Sequence, residues 1–188
     1  MSDEFADQVR AKLSGSTMRN ALTRAGALLT GYELVKTSIV DDVRAFFTLG
    51  FDTSHLQERY ESEVLALDAK RGGGKPNALI ASLAWLQQEG ALSTSQVETF
   101  ESVRIHRNEI AHELARFLID PQHDVRDDLL VQLYEIMLAL DRFWGPIHMG
   151  TNPDFDNRDL DEVTFQSGTT LLFGLLLGLG QSEQVDDQ

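Results

Sequence analysis

STSQVETFESVRIHRNEIAHELARFLIDP, residues 93–121, reads as one long helix with a defined start and stop. Ser93 or Ser95 can cap its first turn with a side-chain oxygen. Asp120-Pro121 ends it, because proline disfavours helical torsions in the residue before it. Between these limits, from about residue 96 to 119, apolar residues return at spacings of three and four: Phe100, Val103, Ala111, Leu114 and Leu118. A charged residue, Arg107, stands among them. Measured from Arg107 at ~100° per residue, Phe100 and Leu118 lie ~20° away, Leu114 ~20° to the other side, and Val103 and Ala111 ~40° to either side. The spacing therefore places a guanidinium in the middle of a face that otherwise belongs to the core or to a partner. An unpaired charge there is costly, so it needs a carboxylate, a wet cleft or a ligand anion.

The same period extends outward. There is no sustained alternation of apolar and polar residues and no Asn-Gly or Asp-Gly turn, so strands are not expected. After SGST, residues 14–17, helical spacing runs from Met18 to about Leu49, with Gly26 and Gly31 placed to bend or divide it. A shorter helix follows Thr53 or Ser54. KRGGGKP, residues 70–76, is a loop. Pro76 opens a compact helix that Gly90 closes. A further helix spans about 125–144 and stops at Gly145-Pro146. Residues 150–163 are polar and irregular, 164–179 form a short apolar helix, and QSEQVDDQ is a frayed tail. The expected fold is all-α: a helical bundle of four to five main helices over residues 1–149, then an acidic C-terminal extension over 150–188.

Charge and composition narrow the function. The net charge is −14 across 188 residues, and half of it lies beyond residue 148, where eight acidic residues face one arginine. Such a surface repels nucleic acid at long range, so RNA binding has to rest on a local site. There are no cysteines, which rules out disulfides and thiolate zinc sites. The longest apolar run, LLFGLLLGLG, is about half the length of a bilayer span. The N-terminus is acidic and lacks the apolar core of a signal peptide. A soluble, cytoplasmic protein without a membrane partner is expected.

Arg107, Asn108 and His112 are the candidate catalytic residues. Arginine grips a phosphodiester through a planar fork and stays charged, while histidine exchanges protons near neutrality. His112 lies ~140° around the helix from Arg107 and ~7.5 Å along it. Both therefore meet one phosphate only if it lies across the helix or if two copies of the helix face each other. Asn108, one turn before His112, can hold a ring nitrogen and fix its tautomer. Arg104 and His106 are weaker substrate-binding candidates. Arg104 stacks under Asn108 but can equally pair with Glu101, and His106 points away from the His112 flank. A buried ion pair beside a surface histidine is the structural alternative for Arg107 and His112.

Arg107-Asn108-Glu109-Ile110-Ala111-His112 resembles the Arg-x4-6-His signature of the HEPN superfamily, with a polar residue after the arginine. The approach is similar too: a helix closing on a glycine in WLQQEG, a short loop, then the helix carrying the motif. The likeness covers roughly residues 76–119. It implies an all-α homodimer and a metal-independent endoribonuclease of a defence kind, such as a toxin–antitoxin or abortive-infection protein. It further implies that two motif pairs line a dimer cleft, that 2′-hydroxyl attack leaves a cyclic phosphate, and that an antitoxin or regulatory protein is a partner. No cofactor and no metal are expected. HEPN proteins without catalysis offer the alternative of a dimerisation module that binds a nucleotide or a partner protein.

Other signals are weaker. Glu109-x-x-His112 is half of a di-iron motif, but no other histidine has a glutamate three positions before it. GGGKP lacks the serine or threonine and the preceding strand of a phosphate-binding loop.

Overall fold

The computed structural model describes residues 3–48, 53–69, 74–150 and 165–178, and every regular element among them is helical. α1 is Asp3–Lys12, α2 Gly15–Thr48 and α3 Thr53–Arg59, which runs through a π-helical turn at Tyr60–Leu65 into α4, Ala66–Ala69. α5 is Ala78–Gln88, α6 Thr94–Ile119, α7 Asp127–Gly150 and α8 Gly168–Leu176. Most of the acidic extension, residues 151–164 and 179–188, and most of the glycine-rich loop, residues 70–73, lie outside the described residues.

α2 is the axis of the bundle. It packs against α5, α6, α7 and α8. Ala25, Leu28, Val35, Ile39, Val43 and Phe47 form its buried stripe. Arg24 reaches Asp124 and Asp127 at the start of α7, while Gly31 lies against Leu133 further along, so α2 and α7 run parallel. α6 runs antiparallel to both: Tyr32 stacks on Phe100, and Lys12, just before α2, donates to the carbonyls of Asp120 and His123 beyond the end of α6. At one end of the bundle Phe46, Phe47, Trp85, Phe143 and Trp144 form a ring cluster, with the two tryptophans stacked at 6.1 Å between centroids.

Local chemistry explains the boundaries. Asn77 caps α5 by accepting from the Leu79 and Ile80 amides. Gly90, at φ +75°, closes it: the Gly90 and Ala91 amides bond back to Gln87 and Leu86, the paired bonds of a Schellman motif. Ser93 and Gln96 form a reciprocal capping box at the start of α6.

Four features depart from the sequence expectation. α1 was not foreseen, although Phe5, Ala6 and Val9 of DEFADQVRAK fall on one half-buried helical face; Lys12 and contacts with α2 and α6 hold it in place. The glycines do not divide α2: Gly31 makes room for the fully buried ring of Phe173 in α8. α7 continues through Gly145-Pro146 to Gly150, because Gly145 accepts Phe165 and the extra turn buries Met149. α6 is broken at Glu113, whose torsions (φ −125°, ψ 29°) are not helical.

A Cβ at Gly31 would meet Phe173 Cζ at 2.5 Å, whereas one at Gly26 meets nothing within 4 Å. Gly31→Ala is expected to destabilise the fold by about 1–3 kcal/mol through overpacking. Gly26→Ala is expected to stabilise it by roughly 0.5–1 kcal/mol, because alanine favours a helix interior. Urea denaturation of the two variants checks the opposite signs.

Candidate functional site

Phe100, Val103, His106, Ile110 and Phe117 are the buried residues of α6. The centre of the buried face is thus shifted toward His106, and Arg107 stands at its margin rather than its middle. Ala111, expected beside the stripe, is exposed.

At that margin Arg107 is well held. Its NH2 donates to Glu33 of α2 at 2.6 Å, and its NH1 donates to Asn108 Oδ1 at 3.2 Å. Its guanidinium carbon sits 5.4 Å above the ring of Tyr32, which stacks on Phe100 at 5.3 Å. The side chain is 30 % exposed and its Nε has no partner. Glu33 also accepts from Lys36 at 2.9 Å. The Lys36 hydrogen bond above all, and the Arg107 bond after it, hold the Glu33 carboxyl below its ordinary value against the opposing effect of burial. Glu33 therefore contributes its stability above the unfolded carboxylate pKa and loses it as pH falls through the lower folded value.

The expected bond between Asn108 and His112 does not form. Asn108 turns its oxygen to Arg107, and His112 is exposed with no hydrogen bond among the described residues. Arg104 makes a two-point contact with Glu101 at 2.7 and 2.6 Å. His106 is corrected from a substrate contact to a structural residue. It is 7 % exposed, and its Nε2 accepts from the Arg126 amide at 3.1 Å. That leaves the proton on Nδ1, 3.2 Å from Glu109 Oε2. Its ring meets Phe117 edge-on at 5.5 Å. Within one chain the structure therefore gathers Arg107, Asn108 and Arg104 along one margin of α6, and sets His112 apart. Glu33 and Tyr32 carried no sequence signal, since Glu33-x-x-Lys36 looks like any surface pair on a helix.

A second polar region lies between α2, α7 and the start of α8. A cavity of about 590 Å³ is lined there by Asp41, Asp42, Asp141, His148, Trp144 and Phe165, among others. Ser38 donates to Asp42, and the buried Asp141 accepts from the Ser167 amide at 2.8 Å. Burial pushes the Asp42 carboxyl up, with repulsion from Asp41 and Asp141 in the same sense and Ser38 and His148 opposing. Among the described residues no group of three or more histidines, aspartates or glutamates is placed to hold a metal ion. No described helix is long and apolar enough to cross a membrane.

The histidines should separate by stability. His106→Ala is expected to cost about 1–3 kcal/mol, since it orphans the Arg126 amide and empties a ring site. His112→Ala is expected to fall within about 0.5 kcal/mol of the wild type, as exposed substitutions do. Thermal and urea unfolding measure both. Asp42 gives a pH test. A raised carboxyl pKa contributes stability below the unfolded pKa, and that contribution is lost as pH rises through the folded value. Asp42→Asn should therefore gain stability over wild type between acidic and neutral pH. An equal dependence in both proteins would show that Asp42 is not desolvated.

Family models, curated proteins and solved structures were compared with the chain, and none matches.

Proposed function

We propose that two copies of this chain form an HEPN-like ribonuclease site, on a bundle of four to five main helices with an acidic C-terminal extension. Arg107 binds the phosphate and stabilises its developing charge, Asn108 orients the guanidinium, and His112 is the general acid and base. The observation that carries this reading is the partly exposed guanidinium of Arg107 on the same helix as an exposed His112 that makes no hydrogen bond among the described residues.

A second copy brings the two groups together. Separated by ~140° around the helix and ~7.5 Å along it, the two side chains of one chain do not converge on one phosphate. Two α6 helices facing each other set Arg107 of one copy beside His112 of the other. A histidine then takes the proton of the 2′-hydroxyl, the 2′-oxygen bonds to phosphorus, and the bond to the 5′-oxygen breaks. The leaving oxygen receives a proton, and a cyclic phosphate remains. No metal is required by this scheme. A defence or toxin–antitoxin role, with an antitoxin or regulatory protein as partner, belongs to the same reading.

One observation favours a second reading. Glu33 and Glu101 already occupy both arginines in the single chain. In a non-catalytic HEPN-like module these pairs would stay closed, and the cluster would support the dimer or bind a nucleotide or partner protein.

Incubation of mixed RNA with purified protein in EDTA separates the readings. Cleavage is expected, with a loss on the order of 10²–10⁴-fold in His112→Ala and in Arg107→Gln. Mixing the two inactive variants is expected to restore part of the activity, since one site of a mixed dimer then holds both an intact arginine and an intact histidine. No cleavage by the folded wild type would overturn the ribonuclease reading.

A further inference from the structure

A cavity of about 560 Å³ opens between α2, α5 and α6, on the far side of Asn108 from Arg107. Tyr32, Phe100, Leu83, Ala84, Arg104 and Asn108 are among its walls. Its size lies within the usual range for small-molecule sites, and its make-up is that of such sites: apolar walls with several polar groups, Asn77, Gln87, Glu101, Arg104 and Asn108, set around them. Two residues connect it to the candidate phosphate site. Tyr32 lies beneath the Arg107 guanidinium, and Asn108 accepts from Arg107. The rim is apolar as well, where Ile80 is 39 % exposed.

We infer that this cavity receives the base of a nucleotide whose phosphate lies against Arg104 and Arg107. The inference rests on the reading of the α6 cluster as a phosphate site. Three observations support it. Arg104 lines the cavity, and Arg107 follows on the same margin of α6 just beyond Asn108, itself a wall, so a phosphate held at that end lies beside Arg104 with Arg107 next in line. The amides at its edge suit the edge of a base: Asn77 and Asn108 have their oxygens engaged by the α5 cap and by Arg107, which leaves Nδ2 of each as the available donor. The local charge is favourable within a chain of net −14 at the arginine end of the cavity, where Arg104, Arg107 and Lys36 pair with Glu101 and Glu33, while Asp68 stands at the Asn77 edge.

The carboxylates that hold the arginines are also exchangeable. Arg104 and Glu101 are 43 % and 53 % exposed along their side chains. Pairs as exposed as these are weak, so an arriving phosphate can displace Glu101 at small cost and take over the planar fork. Glu101 therefore acts as a placeholder that keeps the Arg104 guanidinium in position until a phosphate arrives.

The shared chemistry is a nucleotide, and its source is either a free nucleoside monophosphate or a residue of single-stranded RNA. Binding is measured in the His112→Ala background, where RNA stays intact. The probes are the four nucleoside monophosphates and short single-stranded homopolymers of each base. Saturable binding of at least one probe is expected, weakened about tenfold or more by Ala84→Phe, which fills the cavity, and by Arg104→Ala. Ile80→Glu, at the exposed rim, supplies the same test without altering the interior if Ala84→Phe fails to fold. Binding of the monophosphates identifies a free nucleotide as ligand, and binding of the homopolymers alone identifies RNA. Cleavage of mixed RNA by the parent protein is followed in parallel. If the parent cleaves but a folded cavity variant keeps full affinity and base preference, the cavity assignment falls and the ribonuclease reading stands. If nucleotides bind through the cavity but nothing is cleaved, the cavity assignment stands and the ribonuclease reading falls. If no probe binds, the cavity assignment is overturned.

Discussion

Tyr32 and Phe100 stack at 5.3 Å across the seam between α2 and α6, and the polar chemistry of α6 is positioned from that contact. The aromatic pair fixes how far apart the two helices run and which way α6 is rotated. Arg107 then arrives over the outer face of Tyr32 with Glu33, the next residue of α2, in reach of its NH2. A guanidinium at the edge of a core has to be satisfied by whatever the neighbouring helix presents. Here it meets one ring face, one carboxylate and one amide oxygen, and one nitrogen is left over. The arrangement is a compromise between burial, which tightens the ion pair, and solvent access, which keeps it exchangeable.

The two histidines of RIHRNEIAHEL lie ~120° apart around the helix, which puts one in the core and the other in solvent. His106 lies within the buried face and spends both ring nitrogens on holding α6 to its own Glu109 and to the start of α7. His112 faces solvent. Their neighbours are similar in type, and only the direction of burial distinguishes them. The acidic cavity beside Asp42 and Asp141 is a separate feature. Its carboxylates are held by Ser38 and by the amide of Ser167, contacts that belong to the docking of the segment before α8.

Much of the helical layout was legible in the sequence. The capping serine, the glycine that closes α5 and the Asp-Pro end of α6 each act within a turn of themselves, so single residues announce them. What was hidden depended on partners distant in the chain. The ideal projection put Arg107 mid-stripe, because it assumed a regular helix through residue 118 and could not know which arc α2 and α7 would cover. The break at Glu113 takes Leu114 and Leu118 out of that projection. Pro146 reads locally as a stop, since nothing nearby in sequence shows that Phe165 comes back to lie on Gly145. Glu33 was invisible as a partner of Arg107 for the same reason: 74 residues separate them.

The break in α6 also has a mechanical meaning. Glu113 makes the helix two rods joined directly after His112. Arg107, Asn108 and His112 all ride on the first rod, which is clamped to α2 through Phe100 and Arg107. The second rod carries Phe117 and leads into the turn that Lys12 and Arg24 tether. The arginine and the histidine share one rigid segment, and His106, on that same segment, is what ties it to the α6–α7 corner, through the Arg126 amide and the ring of Phe117.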